Sequence, residues 1–459
     1  MKPIGEQFNH DPRIKEAKRL IHNALVDYQN KIKRVRKGDI NLQKSYAQWL
    51  DKVNEWRGRP LFYPYISSGI GRGALVELMD GSVKYDFITG IGVHVMGHSH
   101  PKIIGAGIDA AIEDTVMQGN LQCDQTSIEV MELLLKTAQK NGAGLGHCFL
   151  TSSGAMANEN AFKIIFQKKE PAHRLLAFNH CFTGRSLATS QMTDKPEYRQ
   201  GIPQTINVDY IPFFDHNNPE ESTAAAVKQL NSLLGKNRNE YAGMCFELIQ
   251  GEGGYYPGQT DFFKSIMDVL KNNNVAVMID EIQTFGRTTD AFAFQYFGLD
   301  PYVDVVTVGK MTQVCATLFS RDFNPKPGLL SQTFTASTSA LHAGKVILLE
   351  LLHGNYLGDE GKISKLSDHF RSHLENLSRQ FPDLIKGPFG LGAMVGMTFK
   401  DGCPQKTKEF LMRLYDNGVM GFSAGANPAR VRFLMPVMAV TKEDIDDVSR
   451  IIGQVLREG

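Results

Sequence analysis

The hydrophobic pattern of residues 145–310 predicts a parallel α/β sheet. Short apolar runs without polar alternation are typical of strands that are covered on both faces. Helical patterns at 155–169 and 261–274 separate several of these runs, and strand–helix alternation of this kind implies a mostly parallel sheet. The predicted strands are 147–151, 174–178, 243–247, 275–280 and 303–308.

The flanking regions have a different pattern and predict a smaller α+β unit. Residues 11–37 predict a helix, 341–380 predict long helices, and 391–459 predict the order strand, helix, strand, helix. Thr441 is a predicted N-cap of the last helix, because acidic residues follow it in the first turn. We divide the chain into an N-terminal segment (1–95) of the small domain, a large domain (96–345) and a C-terminal small domain (346–459).

Composition narrows the class of protein. The 459 residues include 50 Lys+Arg and 49 Asp+Glu, a net charge of +1 that argues against a general nucleic-acid binder. We interpret the basic stretch at 31–37 as a solvated helix face. No apolar run approaches the roughly 20 residues of a membrane span, and the first residues lack the pattern of a signal peptide. Six scattered cysteines fit reduced thiols, so we expect a cytoplasmic protein without membrane or nucleic-acid partners.

Candidate chemistry follows two neighbouring predicted strands. Asp280 ends one strand and Gly309-Lys310 follows the next, and ligands of parallel α/β sheets bind beyond these strand ends. A phosphate loop of an NTPase is excluded around Lys310, because Asp304 and Met311 occupy positions that the motif needs for Gly and Ser/Thr. A lysine amine can instead condense with the aldehyde of pyridoxal phosphate (PLP), and an acid would keep the pyridine nitrogen protonated. Each residue alone is more often an ordinary surface lysine or loop aspartate.

Two further features favour that cofactor. Ser153, Gly154 and Ala155 lie between a predicted strand and helix, where backbone N–H groups can bind a phosphate. An ordinary helix cap explains the same residues. Phe182 follows the strand 174–178 and could stack on a ring, although a core phenylalanine is equally consistent with the pattern.

Six ordered segments resemble the class III (ω-amino acid) aminotransferases of PLP fold type I. The resemblance covers roughly residues 85–440 and implies a large domain with a mostly parallel sheet and a smaller α+β domain built from both ends of the chain. The segments are YDFITGIGVHVMGHSHPK (85–102), SSGAMANENAFK (152–163), FELIQGEGGYYP (246–257), MIDEIQTFGRT (278–288), TVGKMTQ (307–313) and RVRFLMP (430–436).

The resemblance implies a set of roles around the cofactor. Lys310 would bond to the cofactor aldehyde and shuttle a proton, and Asp280 would pair with the pyridine nitrogen. The remaining cofactor contacts would come from Ser153, Gly154, Ala155, Phe182, Ile282, Gln283 and, from a neighbouring subunit, Thr333. The resemblance thus implies a homodimer with shared active sites.

The resemblance also implies how two substrates use one pocket. Arg432 would bind the carboxylate of 2-oxoglutarate, and Glu252 would mask this arginine while the amino donor is bound; a permanent ion pair is the alternative. Arg185 would hold the donor's distal carboxylate, and Ser337 stands where the family has a substrate-contacting residue. Segments at 153–169 and 309–315 resemble the L-lysine 6-aminotransferase subfamily, which makes L-lysine the first candidate donor.

Other functions stay open at this point. Ornithine, acetylornithine, 4-aminobutyrate or a diamine could be the donor, and decarboxylation or racemisation could replace transamination. A non-catalytic relative that binds or regulates is a further alternative. We expect no metal site: His98-x-His100 is better interpreted as a turn in which Pro101 opens a helix.

Overall fold

The structure is a computed structural model, and it describes residues 2–114 and 121–458. The helices are α1 (Ile4–Asn9), α2 (Pro12–Gln29), α3 (Ile40–Arg57), α4 (Thr89–Gly92), α5 (Pro101–Ala111), α6 (Gln125–Ala138), α7 (Gly154–Lys168), α8 (Leu187–Met192), α9 (Pro219–Lys236), α10 (Thr260–Asn272), α11 (Ala293–Tyr296), α12 (Thr338–His353), α13 (Lys362–Gln380), α14 (Pro404–Asp416) and α15 (Lys442–Arg457). None of these helices is both long enough and apolar enough to cross a membrane.

The strands are shorter than most of the helices. They are β1 (Ser67–Arg72), β2 (Leu75–Leu78), β3 (Val83–Asp86), β4 (Leu145–Thr151), β5 (Arg174–Phe178), β6 (Asn207–Ile211), β7 (Tyr241–Phe246), β8 (Ile249–Gln250), β9 (Tyr256–Pro257), β10 (Ala276–Glu281), β11 (Val305–Val308), β12 (Cys315–Ser320), β13 (Ile385–Leu391), β14 (Met394–Phe399), β15 (Val419–Met420), β16 (Phe422–Ala424) and β17 (Arg430–Leu434).

The chain forms two compact units. Unit 1 comprises residues 1–114, 365–388 and 395–459, and unit 2 comprises 115–364 and 389–394. Both ends of the chain thus contribute to unit 1. The domain division predicted from the sequence, with 1–95 and 346–459 in a small domain and 96–345 in a large one, stays a prediction.

Unit 2 contains a seven-stranded sheet with the order β4-β12-β11-β10-β7-β5-β6. Strands β6, β5, β7, β10 and β11 run parallel, whereas β12 is antiparallel to both of its neighbours. The predicted mostly parallel sheet is therefore confirmed. In the β10–β11 register, Asp280 lies opposite Thr307, so β10 and β11 end together and bring Asp280 and Lys310 to one edge.

The apolar strands of this sheet are buried on both faces, as their pattern predicts. Every residue of β7, β10 and β11 is buried. Helix α10 contributes one apolar face to this core, because its buried residues follow the i, i+3, i+4, i+7 spacing of an amphipathic helix. Those residues are Phe262, Phe263, Ile266, Met267 and Leu270.

Unit 1 is built around two small sheets. One has the order β1-β2-β3-β15 and the other β13-β14-β17-β16. The pairing of β15 with β3 is parallel and joins residues 419–420 to 85–86, which connects the N-terminal and C-terminal parts of unit 1. The predicted N-cap Thr441 is confirmed, and its hydroxyl accepts the Asp444 N–H at 3.1 Å in a reciprocal capping box.

Two kinds of local difference from the sequence prediction stand out. Strands β6 and β12 are missing from the predicted set. The predicted helix 11–37 ends at Gln29, so the basic stretch 31–37 lies in a loop and not on a helix face. The turn before Pro101 is confirmed, with His100 as the N-cap of α5.

Candidate active site

Asp280 is buried at the carboxyl end of β10. Its Oδ1 accepts the Ile282 N–H at 2.9 Å, and its Oδ2 accepts a hydrogen bond from Asn158 Nδ2 at 2.7 Å. Burial raises the pKa of Asp280 to about 6, although both hydrogen bonds and the positive charge of Lys310 act in the opposite direction. The site therefore holds a buried acid that a cationic ligand group would stabilise in its charged form.

Asn158 on α7 fixes the orientation of that acid. Its Nδ2 also donates to the Thr183 carbonyl at 2.7 Å, and its Oδ1 accepts the Thr307 hydroxyl at 2.8 Å. One amide thus connects the helix, the loop after β5 and the two central strands. Because these bonds assign the amide nitrogen to the side of Asp280, this side chain can only donate to that carboxylate.

Lys310 follows β11 and begins a single 3-10 turn, Lys310–Thr312. Its φ of 51° lies in the left-handed region, which is unfavourable for a residue other than glycine. A Cβ at the preceding Gly309 would lie 2.7 Å from Cys315 Sγ and 3.1 Å from Ile282 Cδ1. The backbone can therefore pass close to Ile282 only because residue 309 is a glycine.

The N-terminus of α7 provides backbone donors near the same strand ends. Ser153 is the N-cap, and its Oγ accepts the Met156 N–H at 3.3 Å. A Cβ at Gly154 would lie 2.9 Å from Ile282 Cγ2, so the first turn of the helix approaches Ile282 closely. Helix N-termini of this kind favour anions such as phosphate, and Gly154 and Ala155 are the first two residues of this turn.

Glu247, which the sequence analysis did not select, is a second buried acid of the site. Its Oε1 accepts the Phe182 N–H at 3.0 Å, and its Oε2 accepts the Gly251 N–H at 2.9 Å. Burial, followed by the nearby charge of Asp280, raises the pKa of Glu247 to about 8. Glu247 therefore holds the loop of Phe182 against the loop that begins at Gly251.

Gln283 is packed against that second loop. A Cβ at Gly251 would lie 2.5 Å from Gln283 Oε1, so this glycine is the reason that the side chain fits. Ile282 is half-buried and lies between Asp280 and Gln283 in the chain. The segment 280–283 thus brings three predicted cofactor contacts to the end of β10.

Arg185 lies on the exposed end of the loop after β5. Its guanidinium carbon is 3.9 Å from the centre of the Tyr198 ring, a close cation–π contact. The next residue, Ser186, caps α8 and donates its hydroxyl to Glu159. Ser186 therefore anchors one end of the loop that carries Arg185, and Arg185 itself is exposed.

The predicted site residues are distributed over both units. Ser153, Gly154, Ala155, Phe182, Asp280, Ile282, Gln283 and Lys310 lie at the strand ends or helix start of unit 2. Ser337 is the N-cap of α12, where its Oγ accepts the Ala340 N–H at 3.2 Å. Thr333 is exposed. Arg432 is buried in unit 1 with its guanidinium carbon 5.4 Å from the Phe422 ring centre, and its pairing with Glu252 stays a prediction.

These residues fit PLP. The buried carboxylate of Asp280, with its raised pKa, suits a protonated ring nitrogen, and the N-terminus of α7 suits a phosphate. The glycines at 154 and 309 let the backbone approach Ile282 closely from two segments, and the Ile282 side chain is only half-buried. Lys310 supplies an amine at the adjacent strand end.

A family model of the class-III aminotransferases matches residues 64–456, so the chain belongs to the class-III aminotransferase family. Acetylornithine aminotransferase of Methanocaldococcus jannaschii is 28% identical over 406 residues, which cover 84% of this chain and 92% of that protein. Enzymes of the family depend on PLP. The protein is thus a PLP-dependent aminotransferase, which moves an amino group from a donor to a keto acid.

Solved structures agree with this fold assignment. A lysine aminotransferase from M. tuberculosis superposes with a TM-score of 0.78 at 22% identity, covering 89% of this chain and 99% of that one. An ornithine aminotransferase from Toxoplasma gondii gives a TM-score of 0.76 at 22% identity, covering 92% and 99%. The predicted fold type I architecture is confirmed.

Proposed function

We propose that this aminotransferase moves the terminal amino group of L-lysine to 2-oxoglutarate, giving an aldehyde and L-glutamate. The observation that carries the reaction class is the pairing of a lysine and a buried acid at adjacent strand ends, Lys310 after β11 and Asp280 at the end of β10. Bound PLP supplies an aldehyde and an electron-withdrawing ring that stabilises negative charge at the substrate carbon.

We assign separate roles to the residues around this pair. Lys310 would move the proton between the substrate carbon and the cofactor, because a neutral lysine amine can act as a general base. Asp280 maintains the positive charge of the ring nitrogen, and Asn158 holds the carboxylate in place. Phe182 and Ile282 would hold the cofactor ring, and Gln283 would donate to its phenolic oxygen.

Arg185 supports a donor with a carboxylate far from the reacting amine. Arg185 is exposed on the loop that follows Phe182, and its guanidinium contacts the Tyr198 ring. A donor such as L-lysine carries a carboxylate at one end and the reacting amine at the other, so the arginine can bind one end while the other reaches Lys310.

For the second substrate, we assign the carboxylate of 2-oxoglutarate to Arg432, with Glu252 as the group that masks this arginine in the first half of the reaction. Arginine suits this role, because its planar guanidinium binds a carboxylate with two parallel hydrogen bonds. Ser337 would contact the donor.

N-acetylornithine is the second candidate donor. The curated relatives that support it are acetylornithine aminotransferases, at 28% identity in Methanocaldococcus jannaschii and 27% in Caldanaerobacter subterraneus. Acetylornithine also carries a carboxylate at one end and a primary amine at the other, so Arg185 would serve both donors. Ornithine, 4-aminobutyrate and diamines complete the panel to be tested.

We also propose a homodimer with shared active sites, in the cytoplasm. Thr333 is exposed and its neighbour Phe334 exposes 55% of its surface, which supports burial of this segment by a second copy. Through that contact Thr333 would reach the phosphate site of the partner. All six cysteines are free thiols, which supports a reducing compartment.

The test is the visible absorbance of the PLP-loaded enzyme before and after each donor is added without a keto acid. We expect L-lysine to remove the cofactor's absorbance and 2-oxoglutarate to restore it, and product analysis then shows which nitrogen has left. Bleaching by acetylornithine but not by L-lysine would replace the donor and keep the reaction class. An enzyme that binds PLP and responds to no donor in the panel would contradict the proposed reaction.

A further inference from the structure

Unit 1 contains a cluster of two histidines and an aspartate that has no part in the amino-transfer chemistry. His369 and His373 lie four residues apart on α13, and Asp446 lies in the second turn of α15. The Nε2 atoms of both histidines are 2.7 Å from the same Oδ1 of Asp446. One ligand atom from each side chain can be chosen so that all three lie within 4.8 Å of one another.

Packing beneath the cluster fixes the two helices. Phe370, next to His369, is buried, with its ring centre 5.6 Å from that of Phe87 and 5.3 Å from that of Phe433. On the other helix, a Cβ at Gly453 would lie 3.0 Å from Leu377 Cδ2. This glycine allows α15 to approach α13 closely, so the three side chains are presented by rigid elements.

The donor set suits a borderline divalent transition metal. Two imidazole nitrogens and one carboxylate oxygen are ligands that Zn²⁺ prefers, whereas Mg²⁺ and Ca²⁺ prefer oxygen alone. Two histidines at i and i+4 on one helix face are spaced to bind a single zinc ion. A zinc ion lies about 2.0–2.2 Å from such ligands, so small side-chain rotations would bring these three atoms around one ion.

The cluster is also accessible and suitably arranged. The side chains of His369, His373 and Asp446 are 29%, 34% and 53% exposed, so an ion can enter from solvent and keep a water ligand. Asp446 places one carboxylate oxygen within hydrogen-bond distance of both imidazoles, so an oxygen ligand already lies between the two nitrogen ligands.

We propose that His369, His373 and Asp446 form a binding site for a divalent transition metal of the Zn²⁺ type, with water in the fourth position. The ion would connect α13 to α15 within unit 1. Asp446 lies 77 residues from His369 and 73 residues from His373 along the chain. The site therefore exists only in the folded state. Metal binding would therefore stabilise the folded protein.

The test is a zinc titration of the chelator-treated, PLP-loaded enzyme by calorimetry under reducing conditions. We expect one ion per chain, with the affinity lowered at least about tenfold by His369→Gln, by His373→Gln and by Asp446→Asn, since each removes one of three ligands. Two control variants should bind as the wild type does. His173→Gln alters a surface histidine that lies 3.8 Å from Glu240, and Cys123→Ser removes an exposed thiol.

Thermal unfolding provides an independent readout. Zn²⁺ should raise the melting temperature of the wild type and should raise that of His369→Gln by less at the same concentration. Mg²⁺ should raise neither. Co²⁺ bound to the wild type should show the visible bands of a tetrahedral site, which tests the geometry even if a variant is unstable. Absence of zinc binding, or binding that all three ligand variants retain, would overturn the proposal.

Discussion

Asp86 in unit 1 and Asp280 in unit 2 are both buried carboxylates, yet their surroundings shift their pKa values in opposite directions. Burial acts to raise the pKa of Asp86, but His98 Nε2 at 2.9 Å and the N–H groups of Thr89 and Ile88 at 2.6 and 3.1 Å outweigh it and lower that pKa. For Asp280, burial wins and raises the pKa to about 6.

We interpret this difference as that between a structural acid, Asp86, and an acid with the functional role proposed for Asp280. Unit 1 supplies the hydrogen-bond partners of Asp86, His98 and two backbone N–H groups, from its own fold, so this carboxylate is satisfied before any ligand binds. Around Asp280 the close hydrogen-bond donors are the neutral Asn158 amide and a backbone N–H, and Lys310 offsets burial only in part. A buried acid with a strongly raised pKa at a strand edge indicates where a ligand's positive charge belongs.

Lys310→Ala should give the largest effect in the molecule. We expect turnover to fall by at least about 1,000-fold, because the variant loses both the bond to the cofactor and the proton carrier. The folded state should be retained, since Lys310 is only half-buried. Steady-state rates and circular dichroism check both parts, and normal turnover by this variant would remove the basis of the proposed reaction.

Asp280→Asn and Asp86→Asn test the comparison directly. The first should lower kcat by the equivalent of about 2–5 kcal/mol, because it removes the charged partner of the ring nitrogen. It should leave the unfolding free energy of the apo protein at pH 7 unchanged or higher, since the buried charge is removed. The second should lower the unfolding free energy by about 3–5 kcal/mol, because His98 loses its buried partner.

The pH dependence of the unfolding free energy provides a second test of Asp86. The contribution of Asp86 is present above its ordinary pKa of 3.8 and is lost as the pH falls through its lower folded value. If urea unfolding showed the larger loss for Asp280→Asn, the assignment of structural and functional acids would be reversed.

The variant Arg432→Ala tests whether unit 1 also contributes to the reaction. We expect KM for 2-oxoglutarate to rise by the equivalent of about 2–5 kcal/mol with little change for the amino donor. Arg430, a second buried arginine on β17, is the matched control, and Arg430→Ala should affect stability alone. Equal changes for both substrates would argue against a selective role of Arg432.

The variant Glu247→Gln tests, through the pH dependence of stability, whether a second acid of unit 2 also has a raised pKa. Because folding raises the pKa of Glu247 from 4.5 to about 8, the native state keeps a proton that the unfolded chain loses, and stability falls as the pH rises through that window. The slope from this group is at most about 1.4 kcal/mol per pH unit. Urea unfolding of the apo variant should show a shallower fall, while Glu240→Gln, at a half-exposed site, should leave the slope unchanged.

Arg185→Ala should give the smallest of these effects. We expect a roughly tenfold rise in KM for the donor with kcat little changed, since one charged contact to a distal carboxylate is lost. Lys195 is the control, because its amine lies 5.1 Å from the centre of the same Tyr198 ring. If Lys195→Ala raised KM as much as Arg185→Ala, a general positive charge and not a defined contact would explain the effect.

The sheet of unit 2 was predictable wherever its strands are apolar on both faces. β7, β10 and β11 are fully buried, and their uninterrupted apolar runs follow from that. β6 carries a half-buried, partly polar edge sequence, and β12 follows the Lys310 turn and runs antiparallel, so neither fits the strand–helix alternation. The helix expected to continue to residue 37 stops at Gln29, and Arg36 instead pairs with Val83 of β3.

The amino-acid sequence by itself determined the alternation of strands and helices, the cap at Thr441, the turn before Pro101, and the strand-end positions of Asp280 and Lys310. These depend on backbone geometry and on neighbours within a few residues, which the local sequence specifies. Tertiary structure decided that Asn158 orients Asp280 and that Glu247 is desolvated. It also placed Asp446 against His369 and His373. Burial and electrostatics depend on groups that packing brings together from distant positions, and no local pattern reports which groups those are.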